Sequence, residues 1–277
     1  MLRLAMATTT TRDGVTLYYE RHGDGGDPLL LVMGLGGSVE FWEFQTPVLA
    51  RTHRVCVYDN RGVGRSDKPA GPYTVRTLSD DAGAVMDACG FDRAHVVGLS
   101  MGGMIAQELA LRHSDRVGAL VLAATYARPD ERVRGVATGA PTDPGAVDPK
   151  QLFKFMMAMV LSPEFIQREK AWLRTVRDRV LATWTIEGFM AQMAAVMAHD
   201  AAAELGGIGA PTLILQPTAD QLIPPHASDE LHRLIPGSEL LKFDHGSHGF
   251  NVEQADKFNR AVLDFLARHP LDGGARF

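Results

Sequence analysis

Short apolar runs alternate with stretches of helical spacing along the first half of the chain. The apolar runs predict strands at 15–20, 28–33, 54–58, 95–98 and 117–123. The helical spacing predicts helices between them at 41–50, 75–89 and 101–112. Strands that alternate with helices are typical of a parallel sheet with helices packed on both faces.

The same alternation returns near the C-terminus, with predicted strands at 211–216 and 239–243 and predicted helices at 225–234 and 252–268. Between the two halves the pattern changes. Residues 128–148 are rich in Gly and Pro, and 151–203 has helical spacing with no strand candidate. We therefore predict an α/β fold whose sheet domain comprises 1–127 and 208–277, with a helical cap inserted at 128–207.

The cap region is also unusual in composition, since it holds half of the chain's 12 methionines and several aromatic residues. Flexible thioethers adapt to irregular apolar ligands, so the cap is predicted to line a pocket for an apolar substrate. Packing of the cap's own core explains the same residues equally well. The candidate pocket residues are Gly34, Trp42, Met156, Met159, Phe189 and Met193.

Bulk composition excludes several classes of function. The 277 residues carry a formal net charge of -5 without any basic run, which disfavours nucleic-acid and anionic-membrane partners. Two cysteines are too few for a disulfide framework or a cysteine zinc site. We find no apolar stretch long enough to span a membrane and no signal-peptide core at the N-terminus, so we expect a cytoplasmic protein. The sequence does not indicate an oligomeric state.

The first chemical motif is GLSMGG at 98–103, which follows a predicted strand and opens a predicted helix. This is the setting that a G-x-S-x-G nucleophile turn requires, because glycines on either side of the serine let the strand and helix approach closely. Ser100 is therefore the candidate nucleophile. The alternative is a Gly-rich turn in which Ser100 only caps the helix.

A serine nucleophile needs a histidine base, and the base needs a carboxylate to orient it. After the last predicted strand, His248 is preferred as the base over His245, which lies nearer the strand and has a possible structural role. Asp220, in the loop after the strand at 211–216, is the preferred acid. It could instead form an Asx turn, and Asp130 is the second choice of acid. No third ligand accompanies the two histidines, so no metal site is predicted.

Two backbone N–H groups are expected to bind the oxyanion of the transition state. Met101 follows the nucleophile at the start of a helix, and Leu35 lies in the turn GLGG after a predicted strand. That glycine-rich turn does not match the phosphate-binding or dinucleotide-binding motifs, so no nucleotide is indicated.

Four segments occur together: VMGLGG, YDNRGVGRSD, GLSMGG and SHGFNVEQ. By them the chain resembles the α/β-hydrolase superfamily, and within it the branch of 3-oxoadipate enol-lactonase and small bacterial esterases. The resemblance implies Ser100, Asp220 and His248 as nucleophile, acid and base, with Leu35 and Met101 at the oxyanion positions.

One departure is that Met33 precedes Gly34, where many members of the superfamily have His-Gly. The resemblance implies that serine at the nucleophile position excludes the haloalkane dehalogenases and most epoxide hydrolases, which attack with a carboxylate.

The resulting hypothesis is a serine hydrolase that cleaves a small or medium apolar ester or lactone through an acyl-enzyme and needs no cofactor. Perhydrolase or haloperoxidase-like activity and C–C bond hydrolysis remain alternatives on this fold, as does a receptor that only binds a ligand. Four cap arginines could recognise an acidic substrate, although a solvated helix face explains them as well: Arg168, Arg174, Arg177 and Arg179.

Overall fold

One mostly parallel sheet of eight strands organises the part of the chain that the computed structural model describes, residues 4–138 and 148–271. The strands are β1 (Leu4–Thr10), β2 (Thr16–His22), β3 (Pro28–Val32), β4 (Arg54–Tyr58), β5 (Ala94–Leu99), β6 (Val117–Ala123), β7 (Thr212–Pro217) and β8 (Glu239–Phe243). Their order in the sheet is β1-β2-β4-β3-β5-β6-β7-β8. Only the β1–β2 and β2–β4 pairs are antiparallel. The predicted α/β class is confirmed.

Strand β1 was not predicted, and its environment explains why. It lies at the edge of the sheet and pairs only with β2, from Leu4↔His22 to Thr10↔Thr16. Its sequence, LAMATTT, contains few large apolar side chains because an edge strand is not enclosed on both faces. A search for apolar runs therefore finds the central strands and passes over this one.

The described helices surround the sheet. They are α1 (Thr46–Leu49), α2 (Val75–Cys89), α3 (Met101–Arg112), α4 (Glu131–Thr138), α5 (Pro149–Val160), α6 (Pro163–Arg168), α7 (Lys170–Thr183), α8 (Ile186–Ala198), α9 (His226–Leu234), α10 (Phe250–Glu253) and α11 (Ala255–Ala267). Short 3₁₀ turns occur at Val39–Trp42, Ser114–Arg116 and Leu205–Gly207.

Two cores form, one on each face of the sheet. Along β3, Leu30 and Val32 join the core beneath α2 and α3, while Leu29 and Leu31 join the core beneath α11. This alternation follows from the two-residue period of a strand. Both faces of β3 are fully buried, which accounts for its continuous apolar sequence.

The single helix predicted at 41–50 is wrong. The structure has a 3₁₀ turn at Val39–Trp42 and then the short helix α1, with Pro47 in its first turn. A proline has no N–H to donate to the preceding turn, and its ring clashes with the carbonyl four residues earlier, so a helix can begin near Pro47 but not run through it. The predicted helix at 252–268 is likewise divided, into α10 and α11.

Helices α4 to α8 lie between β6 and β7 in the chain, where the inserted cap was predicted. The limits 128 and 207 remain predictions, and residues 139–147 of the Gly/Pro-rich connector lie outside the described residues. Near the two limits, Ala201 N–H donates to the Ala127 carbonyl at 2.9 Å.

None of the described helices is by itself long and apolar enough to cross a membrane. Helices α7 and α8 meet that criterion only as a pair, by length and composition, and the pair is bent by 98° at its break.

Candidate active site

Ser100, Asp220 and His248 follow β5, β7 and β8, respectively. These strands are parallel members of one sheet, so their carboxyl ends open at the same edge. Ser100 and His248 line the same cavity, and His248 contacts Asp220 directly. The structure thus brings together three residues that are widely separated in sequence.

The turn between β5 and α3 holds Ser100 in an uncommon backbone conformation, with φ 57° and ψ -122°. Non-glycine residues reach this region only where the surrounding structure enforces it. A Cβ atom on Gly98 would lie 2.2 Å from the Gly102 carbonyl oxygen, and one on Gly102 would lie 2.0 Å from the Val32 carbonyl oxygen. Glycine is therefore required on both sides of Ser100, because strand and helix nearly touch.

Asp220 and His248 form a buried pair. The imidazole Nδ1 lies 2.7 Å from Asp220 Oδ2, and both side chains are almost fully enclosed. The other carboxylate oxygen, Oδ1, accepts from the backbone N–H groups of Leu222 at 2.8 Å and Ile223 at 3.0 Å. A carboxylate beside Nδ1 keeps the proton on that nitrogen, which leaves Nε2 free to act as a base.

The alternative acid and base lie elsewhere. His245 is exposed, with φ 57°, and its backbone N–H donates to Thr218 Oγ1. Asp130 accepts from the Val133 N–H at the start of α4 and pairs with His226 at 2.8 Å. Neither His245 nor Asp130 lines the cavity that contains Ser100.

The 34–37 turn, Gly34-Leu35-Gly36-Gly37, faces the serine. A Cβ atom on Gly34 would lie 3.0 Å from Ser100 Cβ, so the turn and the serine are in contact. Leu35 lines the cavity, and Met101 is the first residue of α3. The first N–H groups of a helix have no partner within it. Met101 is fully buried and is not among the residues that line the cavity, so the oxyanion role of its N–H stays a prediction.

A second turn, the 59–67 turn, belongs to the segment YDNRGVGRSD and supports the first turn, a role that was not predicted from the sequence. Asn60 Nδ2 donates to the Met33 carbonyl at 3.1 Å, just before Gly34. Asp59 accepts from the N–H groups of Val39 and Arg65 at 2.9 and 2.8 Å. Burial raises the pKa of the Asp59 carboxyl above its ordinary value. These polar side chains fix the chain on both sides of the 34–37 turn.

The cavity is lined mainly by apolar side chains, many of which come from the cap. Its empty volume, with the open mouth included, is about 1020 Å³. One wall is a stripe along α5 formed by Leu152, Phe153, Met156, Met157 and Val160. Among the described residues, no Asp, Glu, Lys or Arg side chain lines it; the polar side chains are those of Ser100, His248 and Asn251.

Three of the candidate pocket residues, Gly34, Met156 and Phe189, do line the cavity, whereas Trp42, Met159 and Met193 do not. Trp42 is fully buried in the core against Phe258, because the 3₁₀ turn directs the neighbouring Phe41 to the cavity instead. Met159 lies off the lining stripe of α5. Of α8, only Phe189 in the first turn reaches the cavity.

Aromatic residues that were not among the candidates also line the cavity: Phe41, Phe153, Trp172 and Trp184. The aromatic enrichment of the cap was the available signal for the last three, whereas Phe41 lies outside the cap, in the 3₁₀ turn Val39–Trp42. The four cap arginines are absent from the lining. Arg168 pairs with Glu169, Arg177 with Asp178, and Arg179 with Glu43.

Comparison with known proteins agrees with this architecture. A family model described as alpha/beta hydrolase fold matches residues 27–255. A protein from Azorhizobium caulinodans, provisionally named carbamate hydrolase RutD, is 32% identical over 90% of this chain and 94% of its own length.

Solved structures show the same similarity. An enol-lactonase from Burkholderia xenovorans is 30% identical with a TM-score of 0.83, covering 94% of this chain and 100% of that one. Est816, described as an N-acyl homoserine lactone degrading enzyme, is 30% identical with a TM-score of 0.78, over the same shares of both chains. The resemblance inferred from the sequence motifs is confirmed. The chain belongs to the alpha/beta hydrolase fold family, and it is a hydrolase.

Proposed function

We propose that the chain hydrolyses an uncharged, apolar carboxylic ester or lactone, with Ser100 as nucleophile, His248 as base and Asp220 as the acid that orients it. The observation that carries the proposal is that Ser100 and His248 share a cavity without a charged side chain among its described lining residues, while Asp220 holds the far side of the imidazole.

In the first step Ser100 Oγ would attack the substrate carbonyl carbon as His248 Nε2 takes the hydroxyl proton. The resulting oxyanion would accept hydrogen bonds from the N–H groups of Leu35 and Met101, and each such donor contributes about 3 kcal/mol. His248 would return the proton to the leaving alkoxide, which leaves an acyl-serine. Water, deprotonated by His248, would then release the acid and restore Ser100.

The lining of the cavity supports an uncharged substrate. Burial of a carboxylate without a cationic partner costs several kcal/mol, and the described lining offers no lysine or arginine to pair with it. Three of the four cap arginines, Arg168, Arg177 and Arg179, pair with carboxylates on the surface, and none of the four lines the cavity. An ester or lactone whose acyl part is a hydrocarbon chain fits the leucine, methionine and aromatic walls.

The nucleophile is tested with a fluorophosphonate probe, peptide mapping and turnover of a nitrophenyl ester. We expect labelling at Ser100 and loss of both labelling and turnover in Ser100→Ala. Ser247→Ala is the matched control, since Ser247 lies beside His248 and its buried Oγ has no hydrogen-bond partner among the described residues. Labelling at another residue, or full turnover by Ser100→Ala, would contradict the proposal.

The substrate class is tested with two esters of equal acyl length, nitrophenyl hexanoate and mono-nitrophenyl adipate. The adipate carries a terminal carboxylate that the cavity would have to bury unpaired. We expect kcat/KM for the hexanoate to be higher by about 100-fold or more. Equal values for the two esters would show that the cavity accepts a charge.

Carbamate hydrolysis is the second candidate, favoured by the name of the Azorhizobium relative. A serine nucleophile can attack the carbonyl group of an ester or of a carbamate by the same steps. The two classes are therefore compared with nitrophenyl butyrate and nitrophenyl N-propylcarbamate. We expect faster steady-state turnover of the ester, and the reverse order would favour the carbamate. Multiple turnovers on either substrate would argue against a receptor that only binds.

A further inference from the structure

Gln192 of helix α8 connects two turns beside the candidate nucleophile. Its side chain is fully buried. The amide oxygen accepts from the Gly36 N–H at 2.9 Å, and the amide nitrogen donates to the Arg61 carbonyl at 2.8 Å. One side chain of the cap region thus binds the 34–37 turn at one end and the 59–67 turn at the other.

The helix that carries Gln192 is itself held closely against the sheet domain. A Cβ atom on Gly188 would lie 2.1 Å from the Gly62 carbonyl oxygen, so the two backbones are in contact. The Tyr73 N–H also donates to the Ala191 carbonyl at 3.4 Å. A glycine at such a contact allows an approach that no other residue permits. These contacts hold α8, and with it the backbone of Gln192, in place against the sheet domain.

The 34–37 turn needs support from outside because its own sequence restrains it little. Three of its four residues are glycines, Gly36 has φ +69°, and the bond of 3.2 Å from the Gly37 N–H to the Gly34 carbonyl is its internal hydrogen bond. Glycine-rich backbone populates many conformations when nothing restrains it. The Asn60 bond fixes the start of the turn, and the Gln192 bond fixes its middle.

We propose that Gln192 is a positioning residue for the hydrolytic reaction, which keeps the Leu35 N–H directed at the oxyanion by holding the next peptide unit, Gly36. This inference rests on the proposed function. Gln192 is not among the residues that line the cavity, so it acts through the turn and not on the substrate. A displacement of a donor by about 1 Å lowers a rate by up to about 100-fold.

The test is Gln192→Met, which keeps the length of the side chain and removes both hydrogen bonds. The matched control is Tyr126→Phe. Tyr126 Oη donates to the Val196 carbonyl of the same helix at 2.6 Å, and among the described residues the hydroxyl has no hydrogen bond to the 34–37 turn. The concentration of reactive serine in each variant is measured by titration with a fluorophosphonate, and each rate is divided by that concentration so that it refers to folded active sites.

We expect Gln192→Met to lower kcat per titrated site by about tenfold or more, with KM within about twofold of the wild type. A trifluoromethyl ketone, whose serine adduct carries the oxyanion, should bind more weakly by the same factor as kcat/KM falls. Tyr126→Phe should lower the melting temperature while leaving kcat and the ketone affinity unchanged.

Equal kcat for Gln192→Met and the wild type, or equal losses in Gln192→Met and Tyr126→Phe, would overturn the inference about Gln192 and leave the proposed function standing. Turnover by Ser100→Ala would overturn both together. The two failures are therefore distinguishable in one set of measurements.

Discussion

The two oxygens of Asp220 have separate partners. Oδ2 contacts His248, and Oδ1 accepts from the N–H groups of Leu222 and Ile223. Hydrogen bonds to a charged group contribute about 1.5–3 kcal/mol each, so the carboxylate is both held in place and compensated for its burial. The Asx turn considered from the sequence and the contact with His248 therefore coexist in one residue.

Replacement of Asp220 by asparagine separates these two roles. In Asp220→Asn the amide oxygen can still accept from Leu222 and Ile223, which directs the NH₂ group at His248 Nδ1. Because an NH₂ group donates and cannot accept a hydrogen bond from Nδ1–H, the imidazole takes the tautomer with its proton on Nε2, which then cannot act as a base. We expect kcat to fall by about 10⁴-fold.

The melting temperature of Asp220→Asn should stay close to that of the wild type, since the loop bonds are retained. Asp130→Asn is the control for the acid, and its kcat should remain within about twofold of the wild type. A larger loss in Asp130→Asn than in Asp220→Asn would assign the acid to Asp130.

At the level of secondary-structure elements, the close contacts of α3 with β5 and with the end of β3 determine where the nucleophile lies. We expect Gly102→Ala to destabilise the fold by several kcal/mol, because the added methyl group would overlap the Val32 carbonyl, which is backbone and cannot rotate away. Urea unfolding monitored by circular dichroism measures the change.

Gly83→Ala in α2 is the matched control, the same substitution within another helix. Nothing lies within 4 Å of a Cβ atom at Gly83, so the only effect is the better helix propensity of alanine. We expect a stabilisation of about 0.5–1 kcal/mol. If Gly102→Ala and Gly83→Ala changed the free energy of unfolding in the same direction, the close approach of strand and helix would not be the reason for glycine at 102.

The elements that the sequence predicted are those whose signal is local. The central strands are continuous apolar runs, and the turn around Ser100 combines glycines with a strand and a helix. Pro47 is also a local signal, because a proline within 41–50 is incompatible with a single helix through that segment. By contrast, Trp42 and Phe41 are adjacent aromatics, and only the tertiary packing decides which one enters the core and which the cavity. Gln192 acts across 156 residues from Gly36, a distance over which no periodicity connects them.

For the whole molecule, two buried histidines link stability to pH. Burial lowers the pKa of His95 and of His199 to about 4 each. In the unfolded chain a histidine titrates near pH 6.5. Between those values the unfolded state binds protons that the folded state does not, so the free energy of unfolding falls as the pH falls from about 6.5 to 4.

We expect each of the two histidines to lower the free energy of unfolding at pH 5 by about 2 kcal/mol relative to its value at pH 7. The variant His199→Gln removes one titrating group and offers an amide near Gln107, whose Oε1 lies 3.3 Å from His199 Nε2. Between pH 7 and pH 5, the free energy of unfolding measured with urea should fall by about 2 kcal/mol less in His199→Gln than in the wild type. The partly exposed control His113→Gln should lose the same amount as the wild type. If His199→Gln also lost as much as the wild type, the linkage to His199 would be ruled out.

The hydrogen bond between Ala201 and Ala127 joins the chain that follows α8 to the chain that precedes α4, and β6 and β7 pair directly, with Leu120 opposite Thr212. The pairing of β6 with β7 therefore does not depend on hydrogen bonds to helices α4 to α8. During evolution the segment that carries helices α4 to α8 can be lengthened, shortened or replaced while the candidate nucleophile, acid and base keep their positions. Substrate preference can then diverge faster than catalytic chemistry. A replacement segment would have to supply other hydrogen bonds to Gly36 and Arg61 in place of those from the Gln192 amide.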